Sequence, residues 1–532
     1  MTETGTLVPP DISTEPKSSA RWWALGVIAL AQLMVVLDAT IVTISLPFAQ
    51  QDLGISDGDK QWVLTAYTLI FGGLLLLGGR LADYLGRRRI FLIGLVGFAA
   101  ASALAGLAQN SAELFAGRAL QGAFGALLAP AALSLVSVTF TEARERARAF
   151  GVFAGVSAGG AAIGLIAGGA LTEYANWRWC LLVNTPVALL ALVGAFAFVI
   201  KDVPVPRTGG YDVPGAVTVT LGLISVVYGF SRAADDGWLA SSTLALLIAG
   251  VALLIAFVAI ERRSANPLLP LHIPGELNRG GSFLVALLVP IAMFAMFINL
   301  SYYLQITLGY SPLKAGVAFL PFPVGIVISA GVASALLPRI GPRPLMIAGG
   351  VLGIAGLLYL AQLNFGDSFA ATVLPATVLI ALGMGALFVS MQTTALHQVE
   401  EKDSGVASAL LNAAQQVGGA IGTALLTTIS VQVAQRYAEN NPTADNLMAR
   451  AAIHSYDVAF YIGAGFFLAA IAIVALMIRD KPENLLEGAE HAPMAVLLLT
   501  GGQGPVPLRG HRPSCASREC DAGTSQWGSP WK

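Results

Sequence analysis

Polar and charged residues fall along the chain in short clusters, and between them run long apolar stretches with no two-residue alternation. Fourteen such runs can be drawn: 22–45, 62–79, 90–108, 112–138, 149–171, 179–200, 213–230, 244–260, 283–304, 315–337, 345–363, 369–391, 406–431 and 458–478. About 20 apolar residues suffice for a helix to cross the hydrocarbon core of a bilayer. Only helices and closed barrels satisfy every backbone polar group there, and barrel strands would alternate. The pattern predicts an all-α integral membrane protein with 14 transmembrane helices. A polar segment carrying Pro9, Pro10 and Pro16 precedes the first run, and no small-residue cleavage pattern follows. That run is therefore expected to be a retained span rather than a signal peptide.

Composition narrows the function. The 532 residues are 56% hydrophobic and 11% charged, against about 25% charged in ordinary soluble proteins. This excludes nucleic-acid binding and a normal water-facing domain, and the formal net charge of −1 offers no surface for a polyanion. Sorting the basic residues orients the chain. With both termini cytoplasmic, 23 Lys and Arg lie on the inner side and 6 on the outer, and Arg118 lies within a span, as the positive-inside rule requires. Cys180, Cys515 and Cys520 make neither a disulfide framework nor a four-thiolate zinc site. The Cys515, Cys520 and His511 grouping carries no metal-site expectation, and no metal or prosthetic group is expected. None of the seven lysines follows a glycine, so a phosphate-cradling ATP loop is absent. No catalytic constellation or sizeable soluble domain points to an enzyme.

An internal echo organises the chain. Asp83-Tyr84-Leu85-Gly86-Arg87-Arg88-Arg89, between runs 2 and 3, is matched 255 residues later by Pro338-Arg339-Ile340-Gly341-Pro342-Arg343-Pro344, between runs 10 and 11. Transporters are often built from such repeats. The expected organisation is a cytoplasmic tail at 1–21, a six-helix half at 22–200, two inserted helices with their flanking loops at 201–281, a second six-helix half at 282–480, and a disordered cytoplasmic tail at 481–532.

Only Asp38, Glu113 and Arg118 are charged within the runs. An intramembrane charge is costly and marks a functional site by default. Glu113 opens its run and reads as interfacial. Asp38 lies seven residues before the end of run 1 and Arg118 six after the start of run 4, which places both roughly 10 Å below the outer boundary at 1.5 Å per residue. Burial favours a neutral carboxyl and a nearby guanidinium a charged one, so moving between the two settings loads and unloads a proton. A permanent tie between helices and a cationic-substrate site are the competing readings.

Between runs 2 and 3, Gly79, Asp83, Gly86, Arg87 and Arg88 form a candidate cytoplasmic latch, in which Gly86 permits a tight turn and Asp83 can bond an arginine or a helix N-terminus. Run 5 carries Gly155, Gly160, Gly164, Gly168 and Gly169 at mostly four-residue spacing, a smooth stripe on which helices can approach and slide, or simply pack.

These motifs resemble those of the major facilitator superfamily, and specifically its fourteen-span drug/proton antiporter branch. Leu37-Asp38-Ala39-Thr40-Ile41-Val42 with Leu46-Pro47 is similar to the branch's span 1 signature, Gly79 to Arg89 to the loop 2-3 motif, and Arg118-Ala119-Leu120-Gln121-Gly122 to the span 4 motif. Trp177-Arg178-Trp179 with Asn184-Thr185-Pro186 looks like the entry to span 6. Span 5 departs from the family's exporter motif, with Gly164-Leu165 in place of Gly-Pro. The acid that some exporters of cationic drugs carry in span 10 is absent from 315–337, which disfavours a dedicated dication pump.

The resemblance implies proton coupling through Asp38 and Arg118, and a central cavity lined by spans 1, 4, 9 and 12. That cavity would hold Phe294, Phe297, Asn299, Met384 and Met391 beside the charged pair. It implies a monomeric multi-pass pump of the cell membrane that expels a hydrophobic or amphipathic small molecule, a drug or a self-made antibiotic. The composition, with 23 Arg against 7 Lys, suits an actinobacterial source. A metabolite importer, or a membrane sensor or enzyme, is the alternative.

Overall fold

The computed structural model describes residues 18–140, 142–199, 212–265, 267–364, 367–399, 403–443 and 445–479. The cytoplasmic segment expected at 1–21, up to residue 17, and the disordered tail expected at 481–532 lie outside the described residues. The structure is all helical: α1 Ser18–Leu53, α2 Trp62–Leu85, α3 Arg87–Gly106, α4 Ser111–Thr139, α5 Ala143–Tyr174, α6 Trp179–Phe198, α7 Val213–Asp235, α8 Ser241–Glu261, α9 Leu277–Thr307, α10 Pro312–Ile340, α11 Pro342–Leu360, α12 Phe369–Leu396, α13 Ser404–Asn440 and α14 Leu447–Met477. Among the described residues, 13 of these are long and apolar enough to cross a membrane. They coincide with 13 of the expected runs, and run 149–171 lies within α5.

Most helices extend beyond their apolar runs, because backbone hydrogen bonding continues past the point where hydropathy falls. The largest difference is α14, which begins at Leu447 and so brings Arg450, His454 and Asp457 into a helix expected to start near residue 458. Local chemistry sets several starts. Asn110 accepts from the Glu113 amide at 2.9 Å, Asp212 from Gly215 at 2.8 Å, and Glu276 from Asn278 and Arg279 at 3.0 and 2.8 Å, each satisfying amides that a helix start leaves open. Burial pushes the Glu276 carboxyl up, but the bonds from Arg279 and Asn278 outweigh it and hold the group below the ordinary range. Its stabilising share is thus present above the ordinary glutamate value and lost as pH falls through the depressed one. Glu276→Ala is expected to cost about 1 kcal/mol, read as lower thermal stability at pH 7 and a smaller difference near pH 3.

The echo in the sequence has a structural counterpart. In α1–α6 the packed pairs include α2 with α4, α3 with α4, α1 with α5, α1 with α6 and α3 with α6; the equivalent five pairs recur in α9–α14. Gly86 and Gly341 make the matching turns with φ of 97° and 79°, conformations that disfavour any side chain. Two residues beyond each, an arginine reaches the end of its half's last helix. Arg88 donates to the Phe196 carbonyl at 3.1 Å and Arg343 to that of Ala475 at 2.7 Å, and a cation is favourable at a helix C-terminus.

The inserted helices α7 and α8 pack on each other through Gly222 and Gly250, and α7 lies against both halves. Leu223 and Val227 of α7 share an apolar cluster with Leu69 of α2 and with Val417, Ala420 and Ala424 of α13. Where α7 ends, Ser231 accepts from Gln61 and Trp62 of the first half, both at 3.0 Å. Thr428 and Gln432 of α13 donate to the Phe230 and Ala233 carbonyls at 2.9 and 2.7 Å.

Candidate functional site

Asp38 and Arg118 meet in the interior of the first half. Arg118 Nη1 lies 2.6 Å from Asp38 Oδ2, and both side chains are fully buried. Five helices converge there. Asp38 Oδ1 also accepts from Gln121 at 3.0 Å and from Asn184 at 2.7 Å. Arg118 donates from Nε to the Val63 carbonyl at 2.8 Å and from Nη1 to Gln121 Oε1 at 2.8 Å, and Gln121 donates to Ser102 at 2.7 Å. The guanidinium carbon sits 4.5 Å from the centre of the Tyr67 ring. Two atoms of this group, Arg118 Nη2 and the Tyr67 hydroxyl, are buried without a partner among the described residues.

Three N–H donors on one carboxylate describe its charged form, compensated inside a region from which water is excluded. The neutral partners Gln121, Asn184 and Ser102 carry no charge to betray them in an apolar run. Only Gln121 and Asn184 stood out, as parts of motifs. Asn184→Ala removes one charge-assisted bond, expected to cost about 1.5–3 kcal/mol and to show as a lower unfolding temperature in detergent. Glu113, by contrast, is half-buried and stays local, accepting from the Gln109 amide and from Asn110, each at 2.8 Å.

A second feature lies in the other half, where α9, α10, α12 and α13 enclose a cavity of about 310 Å³. Phe294, Phe297, Met384 and Met391 line it, joined by Pro290, Met293, Phe322 and Phe388; Gln415 and Gln416 are its polar points. Asn299 does not line it. On α9, Pro290, Met293, Phe294 and Phe297 follow the i, i+3, i+4, i+7 face, and a residue two beyond Phe297 points away. Asp38 and Arg118 are not among its lining residues either, so charge and cavity occupy different halves.

The glycine stripe of α5 divides. A Cβ on Gly155 would meet nothing within 4 Å, whereas one on Gly160 would touch Leu33, one on Gly164 would fall 2.0 Å from Thr40 Oγ1, and one on Gly168 2.7 Å from the Ile41 carbonyl. The step from 159 to 160 turns the repeat by about 100°, so only the later glycines face α1. Gly169 faces the other half, where a Cβ would fall 2.6 Å from the Pro312 carbonyl, and Gly316 faces back, where a Cβ would fall 2.3 Å from the Leu165 carbonyl. Of the latch residues, Gly86 makes its turn and Arg88 caps α6. Arg87 also has an interaction, and a Cβ on Gly79 would make ordinary contact with Pro130 at 3.7 Å. The Asp83 side chain lies outside the described residues. Arg80 donates to the Pro267 carbonyl at 2.9 Å, tying α2 to the loop after α8.

Among the described residues, the hydrogen bonds that join α1–α6 directly to α9–α14 lie at the face where α1 ends. Ser301 donates to the Thr43 carbonyl at 3.0 Å, Gln305 to that of Ile44 at 3.2 Å, and the Leu313 amide to Glu173 at 3.0 Å; Tyr302 donates to Gln50. Lys60 lies over the Tyr302 ring at 4.2 Å and pairs with Asp57 at 3.0 Å. Burial raises the Asp57 carboxyl, but the Lys60 charge and bonds from Gln50 and Lys60 hold it below its usual value.

A sequence model described as Major Facilitator Superfamily matches residues 28–423. The chain belongs to the major facilitator superfamily. Among curated members, the puromycin resistance protein pur8 of Streptomyces alboniger is 46% identical over 485 residues, covering 89% of this chain and 96% of that protein. The cephamycin export protein CmcT of Amycolatopsis lactamdurans is 35% identical over 480 residues, with the same coverage. Among solved structures, a bacterial homolog of the human lysosomal transporter Spinster, in an inward-facing and unoccupied conformation, aligns with a TM-score of 0.62. It is 15% identical and covers 88% of this chain and 98% of that one; this likeness concerns the fold alone. Membership of the superfamily and the many apolar helices make the chain a multi-pass transporter of the cell membrane rather than an enzyme.

Proposed function

We propose that this transporter expels a hydrophobic or amphipathic small molecule of the antibiotic or drug type, driven by proton entry and working by alternating access. The observation that carries the proposal is the Asp38 carboxylate, bonded to Arg118, Gln121 and Asn184 in a dry interior. When helix movement draws the guanidinium away, the uncompensated carboxylate takes a proton; when the pair re-forms, the proton leaves. The proton is the coupling ion, and no prosthetic group takes part. Relatives named for puromycin resistance and cephamycin export favour outward transport over metabolite import. The excess of Lys and Arg in the loops on one side favours cytoplasmic termini; on that reading the bonded face is the outer one and this state is closed to the outside. The cavity on α9, α10, α12 and α13 is the cargo site, and a single chain suffices.

Everted membrane vesicles test this reading. With an acid lumen, labelled puromycin is expected to accumulate and to escape when a protonophore is added. No uptake by vesicles rich in the protein, for puromycin and a panel of hydrophobic antibiotics, would reject export. The latch makes a separate expectation: Asp83→Ala slows exchange between the two states, measured by distance labels on the two halves, and unchanged exchange removes Asp83 from gating.

A further inference from the structure

Gln415 and Gln416 lie half-buried on α13, and their carboxamides point to a recognition role. Both line the cavity, and among the described residues neither makes a side-chain hydrogen bond, in contrast to Gln61, Gln121, Gln305 and Gln432, whose amides all donate to the protein. Two adjacent carboxamides hold four N–H donors and two carbonyl acceptors, facing walls of Phe, Met, Leu, Val and Ala. Gln416 also sits at the seam between the halves, its Cβ 3.0 Å from where a Cβ on Gly72 of α2 would stand.

The rest of the lining decides the charge of what fits. Among its residues there is no Asp, Glu, Lys, Arg or His, and Asp38 and Arg118 are already paired with each other in the other half. An ion entering here would shed its water without a counter-charge. The Phe294, Phe297, Phe322 and Phe388 rings attract a cation only weakly by comparison. Met293, Met384 and Met391 give the walls an adaptable surface.

We infer that this cavity selects uncharged apolar molecules that carry a hydrogen-bonding group at one end, and that Gln415 and Gln416 are its specificity-determining residues. The inference rests on the cavity being the cargo site. A ligand held by Gln416 also touches the seam along which α2 and α13 pack, so binding is sensed by both halves.

Two probes of matched shape test it. Acridone is an uncharged tricycle with one carbonyl and one N–H; 10-methylacridinium is a permanent cation of the same frame. Each is titrated by fluorescence against the full chain in nanodiscs, with empty nanodiscs as the blank. Acridone is expected to bind at least tenfold more tightly than 10-methylacridinium. Gln415→Leu and Gln416→Leu are each expected to weaken acridone about fivefold, the size of one net hydrogen bond. Gln416→Glu, which supplies the missing counter-charge, is expected to reverse the order of the probes. Equal binding, preference for the cation by the wild type, binding of neither, or an acridone affinity unmoved by both leucine variants would overturn the inference. Acridone that binds as expected, yet is not moved by a proton gradient in everted vesicles, would leave the recognition role standing and remove the export reading.

Discussion

Asp38→Asn is expected to abolish gradient-driven accumulation of cargo while leaving membrane insertion intact. The amide occupies the carboxylate's volume and still accepts from Arg118, but it cannot take up and release a proton. One proton crossing ~100 mV supplies about 2.3 kcal/mol, enough to hold about a fifty-fold cargo gradient, and all of it is lost with the carboxyl. Facilitated movement down a cargo gradient should survive, which separates loss of coupling from loss of the path. Everted vesicles loaded in both directions give the measurement, and normal uphill pumping by the variant would remove Asp38 from the mechanism. Arg118→Ala is the harsher change: it strands a fully buried carboxylate, expected to cost about 3–5 kcal/mol and to lower the yield of folded protein as well as transport.

Gly164→Val is expected to reduce transport at least tenfold without touching any charged group. A Cβ at Gly164 falls 2.0 Å from Thr40 Oγ1 and 3.1 Å from the Leu37 carbonyl, so α1 must move away from α5. Leu37 and Thr40 bracket Asp38 on the same turn, and the 2.6 Å contact with Arg118 has no slack for that displacement. Overpacking of this kind costs about 1–3 kcal/mol in stability, so transport is normalised to the amount of folded protein in the membrane. Gly164→Ala combined with Thr40→Ala, which withdraws the obstructing oxygen, should recover much of the activity lost in Gly164→Ala alone. The same pairs of variants at Gly155, where nothing stands within 4 Å, should be silent.

How far these features can be read from residues alone depends on what each one does to the apolar pattern. Asp38 and Arg118 break it with charge, and the depth of each follows from counting along its run. Their neutral partners Ser102, Gln121 and Asn184 leave it nearly intact. Asp457 escapes notice because it stands just before the apolar run that opens at 458, whereas the helix already begins at Leu447. In the cavity, Phe294, Phe297, Met384 and Met391 share helical faces with one another, while Asn299 falls off the face by two residues. Gln415 and Gln416 are uncharged and therefore looked ordinary within their run. The glycine stripe showed its spacing but not its turn at 159 to 160, since one extra residue changes which neighbour a helix face meets.

The clasp at Ser231 has a consequence for a cell at rest. One hydroxyl receives both Gln61 and Trp62, while Thr428 and Gln432 hold the other side of the same helix end. Parting the two halves at that face must pull them off a shared post, a burden that six-plus-six helices without the inserted pair would not carry. Those bonds weight the equilibrium toward the state shut at that face, with or without a gradient. The inserted pair therefore lowers the share of time the path stands open there, and so the passive back-flow of cargo.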